Sequence, residues 1–171
     1  MDRFATLIAS GFGIGYTPFA PGTVMSAVAI PLAWWIAMQG GAFALLAAAL
    51  FAFVLGVIAC EAHVRATGRE DPSECVIDEL AGQWLACAIG LFGFGVLAPV
   101  ENIWLPLLIA FLLFRLFDIT KPWPVGWADR LFKPPPGGAV GWAQGFGILF
   151  DDLVAAACTL ALMAALLWLW T

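Results

Sequence analysis

Long apolar stretches dominate this chain and leave it few possible folds. Four or five can be drawn, over residues of about 23–39, 42–60, 80–99, 103–117 and 153–170, each near the ~20 residues with which an α-helix crosses a bilayer. Lipid offers no partner for backbone polar groups, so such stretches form helices. Only 11% of the 171 residues are charged, against about 25% in soluble domains. We therefore predict an all-α, polytopic membrane protein, a single domain over residues 1–171 built as a helical bundle of about four to five spans.

The breaks between these stretches predict local geometry. Gly40-Gly41 separates the first two stretches and predicts a tight helical hairpin. Pro31 interrupts the first stretch, which could therefore be kinked or partly re-entrant. Residues 4–16 predict a short interfacial helix. The four cysteines lack CxxC spacing, and we expect them to be reduced packing residues.

The Lys and Arg residues decide the expected orientation. All seven lie in the amino-terminal stretch, in residues 61–79 or in residues 115–150. With the amino terminus inside, five spans place all seven on the cytoplasmic side, as the positive-inside rule requires. The connections at 40–41 and 99–102 are too short to carry a site, so we expect the active-site loops on the cytoplasmic side. No basic run is long enough to make nucleic acid an expected partner.

Carboxylates stand at the ends of the apolar stretches, where a charge near hydrocarbon costs about 3 kcal/mol. Two begin the third stretch, one ends the fourth and two begin the fifth: Asp78, Glu79, Asp118, Asp151 and Asp152. Helix capping explains one acid at each helix start, but a helix end disfavours Asp118. Arg115 could pair with Asp118 from three residues away. If the helix ends converge, five carboxylates supply the oxygen ligands that Mg²⁺ or Mn²⁺ prefers.

Cations stand near the same helix ends and could hold phosphate oxygens. They are Arg115, Lys121 and Arg130. Thr23 closes the Gly- and Pro-rich segment 11–23 and could add a hydroxyl to an anion site, although a structural turn explains that segment equally well. Asp71 and Asp129 are weaker candidates, because loop structure accounts for them. Carboxylates, a metal and cations together indicate a phosphoryl-transfer site.

Several other chemistries are excluded or less favoured. His63 is the only histidine, which excludes phosphatases that use two, and we expect it at the surface or interface. No Cys is followed at six residues by Arg, and there is no DxD pair. A cation carrier or channel subunit is the alternative, since acids in membranes also line ion paths. The apolar centres of the five stretches favour a site at the membrane surface instead.

Four blocks of residues resemble one enzyme family. They are Gly13-Ile14-Gly15 through Pro18 with Pro21-Gly22-Thr23; Asp71-Pro72 with Val76-Ile77-Asp78-Glu79 and Gly82; Phe114-Arg115-Leu116-Phe117-Asp118 with Lys121-Pro122-Trp123-Pro124 and Asp129; and Gly145 through Asp151-Asp152. In order and over nearly the whole chain, these blocks resemble phosphatidylglycerophosphatase A. Met25, Cys75 and a longer, proline-rich 133–144 loop depart from the family pattern.

The resemblance implies both a reaction and a location. It implies a multi-pass phosphatase of the bacterial inner membrane that depends on Mg²⁺. Its substrate would be phosphatidylglycerophosphate, converted to phosphatidylglycerol and inorganic phosphate, and membrane lipid would surround it. The resemblance leaves open whether water or an Asp attacks phosphorus, how many metal ions bind, and the oligomeric state.

Overall fold

The computed structural model describes residues 3–69, 72–97, 103–132 and 142–170. Over these ranges the chain is helical and contains no strand, which confirms the predicted all-α class. The helices are α1 (Arg3–Ala9), α2 (Pro21–Thr67), α3 (Ile77–Leu97), α4 (Trp104–Thr120), α5 (Val125–Leu131) and α6 (Trp142–Trp170). The predicted connection at 99–102, most of the proline-rich 133–144 loop and Asp71 lie outside the described residues.

α2 consists of two helical arms joined at a glycine pair. Gly40 (φ −145°, ψ 19°) and Gly41 (φ 67°, ψ −163°) leave the helical region, and the positive φ of Gly41 suits a residue without a Cβ atom. The first arm covers residues 21–39 and the second residues 42–67. Within the first arm the dihedral angles stay helical through Pro31, and whether this arm is re-entrant in a membrane stays a prediction.

Contacts with α3 show that the two arms run in opposite directions. In the first arm, Gly22 lies against Glu79 and the later Ala29 O accepts a hydrogen bond from Trp84 Nε1, so this arm runs parallel to α3. In the second arm, Phe43 packs edge-to-face on Phe92 while the later Gly56 lies against Ile77 at the start of α3, so this arm runs antiparallel to it. The predicted helical hairpin at the glycine pair is therefore confirmed.

α4 and α6 complete the bundle with opposite directions. α4 runs antiparallel to the first arm, because Trp104 stacks on Trp34 at one end while Arg115 reaches Thr23 at the other. α6 runs parallel to α3. Gly82 and Gly90 of α3 lie against Asp152 and Met163 of α6, respectively. As a result the first arm and α3 begin, and α4 ends, at the same end of the bundle.

Small residues allow the helices of the core to approach closely. Gly56 of the second arm lies against both Ile77 and Leu149, and alanines make up much of the buried interior. Small residues at helix contacts are typical of bundles in membranes, where packing rather than the hydrophobic effect holds helices together. The four cysteines are unbonded, and three of them are buried, as expected for packing residues.

The outer surface of the bundle is strongly apolar. Large hydrophobic side chains such as Phe43, Phe51 and Leu112 are exposed on it. Among the described residues, two helical segments are long and apolar enough to cross a membrane by length and composition, Pro21–Thr67 and Trp142–Leu166. The finer prediction of four to five spans with cytoplasmic loops stays a prediction.

Candidate active site

A pocket of about 370 Å³ opens at the end of the bundle where α3 begins and α4 ends. All five predicted carboxylates and Lys121 line it. The remaining lining residues are Pro72, Ser73, Cys75, Asp129, Phe132, Gln144, Gly147 and Ile148. The structure therefore brings the predicted acids together, while their roles as ligands or catalytic groups stay predictions.

The carboxylates form two overlapping groups of three. In the first group, oxygen atoms of Asp78, Glu79 and Asp152 all lie within 4.8 Å of one another. In the second, the same holds for Asp118, Asp151 and Asp152. Asp152 is shared, so that it stands at the centre of the acidic cluster.

The first turn of α3 supplies Asp78 and Glu79. A helix start favours negative charge there, because its unpaired N–H groups carry a partial positive charge. Asp78 Oδ1 accepts a hydrogen bond from the Glu79 N–H over 3.0 Å. Glu79 also fits closely against Gly22 at the start of the first arm, where a Cβ atom would collide with its Oε1.

Asp118 lies in the last turn of α4 and is held by Arg115. Arg115 Nη1 lies 2.7 Å from Asp118 Oδ2, so the predicted pairing at three residues is present. The same guanidinium donates to Thr23 Oγ1 over 3.2 Å and to Ser26 Oγ over 3.4 Å. Thr23, predicted to bind phosphate, thus contacts Arg115 and does not line the pocket.

Asp151 and Asp152 do not begin their helix, which corrects the sequence-based prediction. α6 starts at Trp142 rather than near residue 153, and its first turn holds no acid. Helix capping therefore cannot explain this pair. The extra turns pack on the protein: Gly145 lies against Val57 of the second arm, and this contact leaves no room for a Cβ atom.

Lys121 joins α6 to α5 across the pocket. Its Nζ lies 2.7 Å from Asp151 Oδ2 and also pairs with Asp129. Burial by itself would lower the pKa of Lys121, but the hydrogen bonds to Asp129 and Asp151 outweigh it and raise that pKa above its usual range. Lys121 therefore remains a cation. Asp129, attributed above to loop structure, instead lies on α5 and lines the pocket.

Arg130 lies away from the pocket. Its side chain is exposed, and its Nε donates to Gly126 O one turn earlier, over 2.8 Å. The structure therefore does not bring this predicted phosphate ligand to the acids. Sequence reasoning missed Ser73 and Gln144, which line the pocket from the turn before α3 and from the first turn of α6. Gln144 was overlooked because residues 133–144 were predicted to be a loop.

A buried network supports the pocket wall at residues 72–75. His63 is only 2% exposed, and its ring nitrogens lie 3.1 Å from Thr6 Oγ1 and 3.1 Å from Glu74 Oε1. The expectation of a surface histidine was wrong, because α1 and the 72–76 turn cover it. Burial alone would raise the pKa of Glu74, but hydrogen bonds from the backbone, His63 and Arg69 outweigh it and lower that pKa.

The carboxylate pocket fits a divalent metal ion. Glu79 Oε2 and Asp152 Oδ2 are buried without a hydrogen-bond partner within the described part of the chain. Buried, unsatisfied carboxylate oxygens are costly, and a cation would offset both the desolvation and the mutual repulsion. An all-oxygen donor set is the kind that Mg²⁺ prefers. Carboxylates and a lysine that meet in one pocket are the groups that metal-assisted phosphoryl transfer uses.

Comparison with known proteins identifies the family to which the chain belongs. The sequence matches the phosphatidylglycerophosphatase A family over residues 7–167. It is 32% identical over 150 residues to phosphatidylglycerophosphatase A of Escherichia coli (strain K12), covering 87% of this chain and 75% of the relative. The Haemophilus influenzae enzyme of the same name is 32% identical over 151 residues, 88% of this chain and 80% of the relative.

A third relative carries a different name. A Bacteroides thetaiotaomicron protein described as a candidate phosphatidylinositol-3-phosphatase is 32% identical over 166 residues, which is 95% of this chain and 92% of the relative. No solved structure matches the chain significantly. The chain belongs to the phosphatidylglycerophosphatase A family and is therefore an enzyme of the phosphatase class.

Proposed function

We propose that this enzyme removes the terminal phosphate of phosphatidylglycerophosphate, giving phosphatidylglycerol and inorganic phosphate, with Mg²⁺ as cofactor. The observation that carries the proposal is the meeting of five carboxylates and a lysine in one pocket at the end of an apolar bundle. The names of two relatives supply the substrate. In this proposal the chain crosses the bacterial inner membrane several times, and the pocket faces the cytoplasm.

The surroundings of the pocket suit a lipid headgroup. Three exposed tryptophans each stand two positions along the chain from a residue that lines the pocket: Trp123 (84% exposed), Trp127 and Trp142. Tryptophan prefers the membrane–water interface, where its ring meets lipid and its N–H meets water. In this proposal the pocket would lie at the depth of the lipid phosphate on which the enzyme acts.

We assign separate roles to the residues of the pocket and to Arg115. Lys121 is 37% exposed and presents a cation at the pocket, so it would bind a phosphate oxygen. Arg115 is 11% exposed and already holds Asp118, so it would act as a positioning residue. The metal ligands would be Asp78, Glu79, Asp118, Asp151 and Asp152. When bound there, Mg²⁺ would polarise the phosphoryl oxygens and offset the charge of the carboxylates.

The bond changes leave two routes open for the attacking group. In one, the oxygen of a water molecule attacks phosphorus while a carboxylate of the cluster takes a proton from that water. In the other, an Asp oxygen attacks first and a phosphoenzyme is later hydrolysed. In both, the ester bond between phosphorus and the glycerol oxygen breaks, and that oxygen takes a proton from a protonated carboxyl group of the cluster or from water.

The test is phosphate release from phosphatidylglycerophosphate in detergent micelles, with Mg²⁺ and with a chelator. Asp118→Asn removes one pocket charge at constant size. Glu61→Gln is the matched control, because Glu61 pairs with Arg65 and does not line the pocket. Metal-dependent release that Asp118→Asn abolishes and Glu61→Gln retains would support the proposal. Folded protein that releases no phosphate would overturn it.

A second substrate belongs in the same assay. The name of the Bacteroides relative makes phosphatidylinositol 3-phosphate the alternative substrate to test. The ratio of kcat/KM for the two lipids decides between them. The cation-carrier alternative has no support of this kind, because the acids gather at one end of the bundle.

A further inference from the structure

The arrangement of the acids contains more than one candidate ion position. Mg²⁺ binds oxygen at about 2.0–2.1 Å, so ligand atoms on opposite sides of one ion are about 4.2 Å apart. Each group of three carboxylates meets this limit approximately, with its oxygens within 4.8 Å of one another. Over the described residues, the five carboxylates do not form a single group of that size. One ion would therefore leave part of the cluster without a ligand bond.

Asp152 is the residue that the two groups share. Its side chain is buried, at 3% exposed, and its Oδ2 has no hydrogen-bond partner although the residue lines the pocket. A carboxylate has two oxygens, so one can serve each group. Glu79 Oε2 is a second buried oxygen without a partner, and it belongs to the first group only.

The two groups differ in how their charge is offset. In the second group, Arg115 contacts Asp118 and Lys121 contacts Asp151, each at 2.7 Å. In the first group, no Lys or Arg among the described residues lies within ion-pair distance of Asp78 or Glu79. Arg115 is near enough to attract Glu79, but its direct ion pair is with Asp118, so the first group keeps no direct cation partner and has the stronger attraction for a divalent ion.

We propose that the pocket binds two divalent cations of unequal affinity that share Asp152 as a bridging ligand. The tighter ion takes Asp78, Glu79 and one oxygen of Asp152. The weaker ion takes Asp118, Asp151 and the other oxygen of Asp152, in competition with Arg115 and Lys121. This inference rests on the proposed function only for the presence of a divalent metal. It adds the number of ions, the order of their affinities and the bridging role of Asp152.

Manganese binding tests the proposal without any use of activity. Purified protein in detergent is titrated with Mn²⁺, bound metal is counted, and electron paramagnetic resonance reports whether two ions are spin-coupled. Two-metal phosphoryl-transfer sites hold their ions about 3.5–4 Å apart, which gives such coupling. We expect two bound ions per chain, with affinities that differ at least tenfold, and a coupled spectrum at full loading.

Isosteric variants separate the two positions. Glu79→Gln should weaken the tighter site at least tenfold, whereas Asp118→Asn should remove the weaker ion and change the tighter affinity less than threefold. Asp152→Asn should abolish the coupled spectrum, and Glu61→Gln should retain both ions. Circular dichroism and gel filtration of each variant establish that it folds.

The outcomes are distinct from those of the activity test. One bound ion per wild-type chain, or loss of the tighter ion in Asp118→Asn, overturns the two-ion proposal even if phosphatidylglycerophosphate is hydrolysed. Two coupled ions in a protein that releases no phosphate uphold the two-ion site and overturn the proposed function alone.

Discussion

Arg115 Nη1 lies 2.7 Å from Asp118 Oδ2 in the last turn of α4. The same guanidinium reaches the hydroxyls of Thr23 and Ser26 on the first arm. One side chain thus fixes Asp118 and fastens α4 to the start of the first arm. Its planar group and several N–H donors are needed for all three contacts. Arg115 therefore sets the position of Asp118 relative to the other carboxylates.

Arg115→Lys should separate the effect of Arg115 on the position of Asp118 from the effect of its positive charge. Lysine keeps the positive charge but cannot make the same three contacts, so Asp118 would shift. Because small misplacements of catalytic groups are costly, we expect kcat to fall by about 10–100-fold with KM changed little. Steady-state phosphate release at varied lipid concentration measures both constants. A rise in KM at unchanged kcat would instead identify Arg115 as a phosphate ligand.

Gly82→Ala should disturb the site through packing alone. A Cβ atom there would lie 2.7 Å from Cζ of the buried Phe114 ring and 3.0 Å from Asp152 Cβ. Overpacking of this kind costs about 1–3 kcal/mol, and the shift of Asp152 should weaken Mn²⁺ binding. Thermal unfolding in detergent and metal titration measure the two effects.

Gly90→Ala on the same helix is the matched control for that prediction. Its new Cβ atom would meet the Met163 methyl at 3.0 Å, the flexible end of a side chain. Alanine also favours helix over glycine by about 1 kcal/mol. We expect the midpoint of unfolding to stay the same or rise. Equal destabilisation by both substitutions would show that the close packing of Gly82 on Phe114 and Asp152 is not the cause of the loss.

Glu74 should make the stability of the pocket wall depend on pH. Because the folded-state pKa of Glu74 is lowered, its contribution is present above the unfolded-state pKa and is lost as the pH falls through the folded-state value. At pH 7, Glu74→Gln should lose about 1 kcal/mol with its charged hydrogen bonds. The difference from wild type should shrink below about pH 4.5. Paired unfolding curves at pH 7 and pH 3.5 test this, and a constant difference would contradict it.

The parts of the fold that sequence predicted well are those set by local pattern. Apolar stretches located the main helices, and Gly40-Gly41 located the hairpin, because a residue without Cβ is needed at positive φ. Asp78 and Asp118 were placed correctly at a helix start and a helix end. Charges beside hydrocarbon are costly, so their positions mark the polar end of a bundle.

The errors arose where distant contacts decide the structure. α6 begins at Trp142 because Gly145 and Gly147 allow close packing on Val57 and Phe132, and no local pattern reveals those partners. Burial of His63 likewise depends on Thr6, which lies 57 positions away. In both cases the local sequence favours loop or surface, and tertiary packing overrides it.

Lys121→Met should show which cation binds the phosphate. Lys121 presents its ammonium between Asp129 and Asp151 in the pocket, whereas Arg130 is exposed outside it. A lost charge-assisted hydrogen bond costs about 1.5–3 kcal/mol, so kcat/KM should fall about 10–100-fold, mostly through KM. Arg130→Met should change kcat/KM less than threefold, although its position in the sequence predicted a phosphate ligand. Phosphate-release kinetics on both variants test this prediction. Equal losses of kcat/KM would indicate that Arg130 also binds the phosphate.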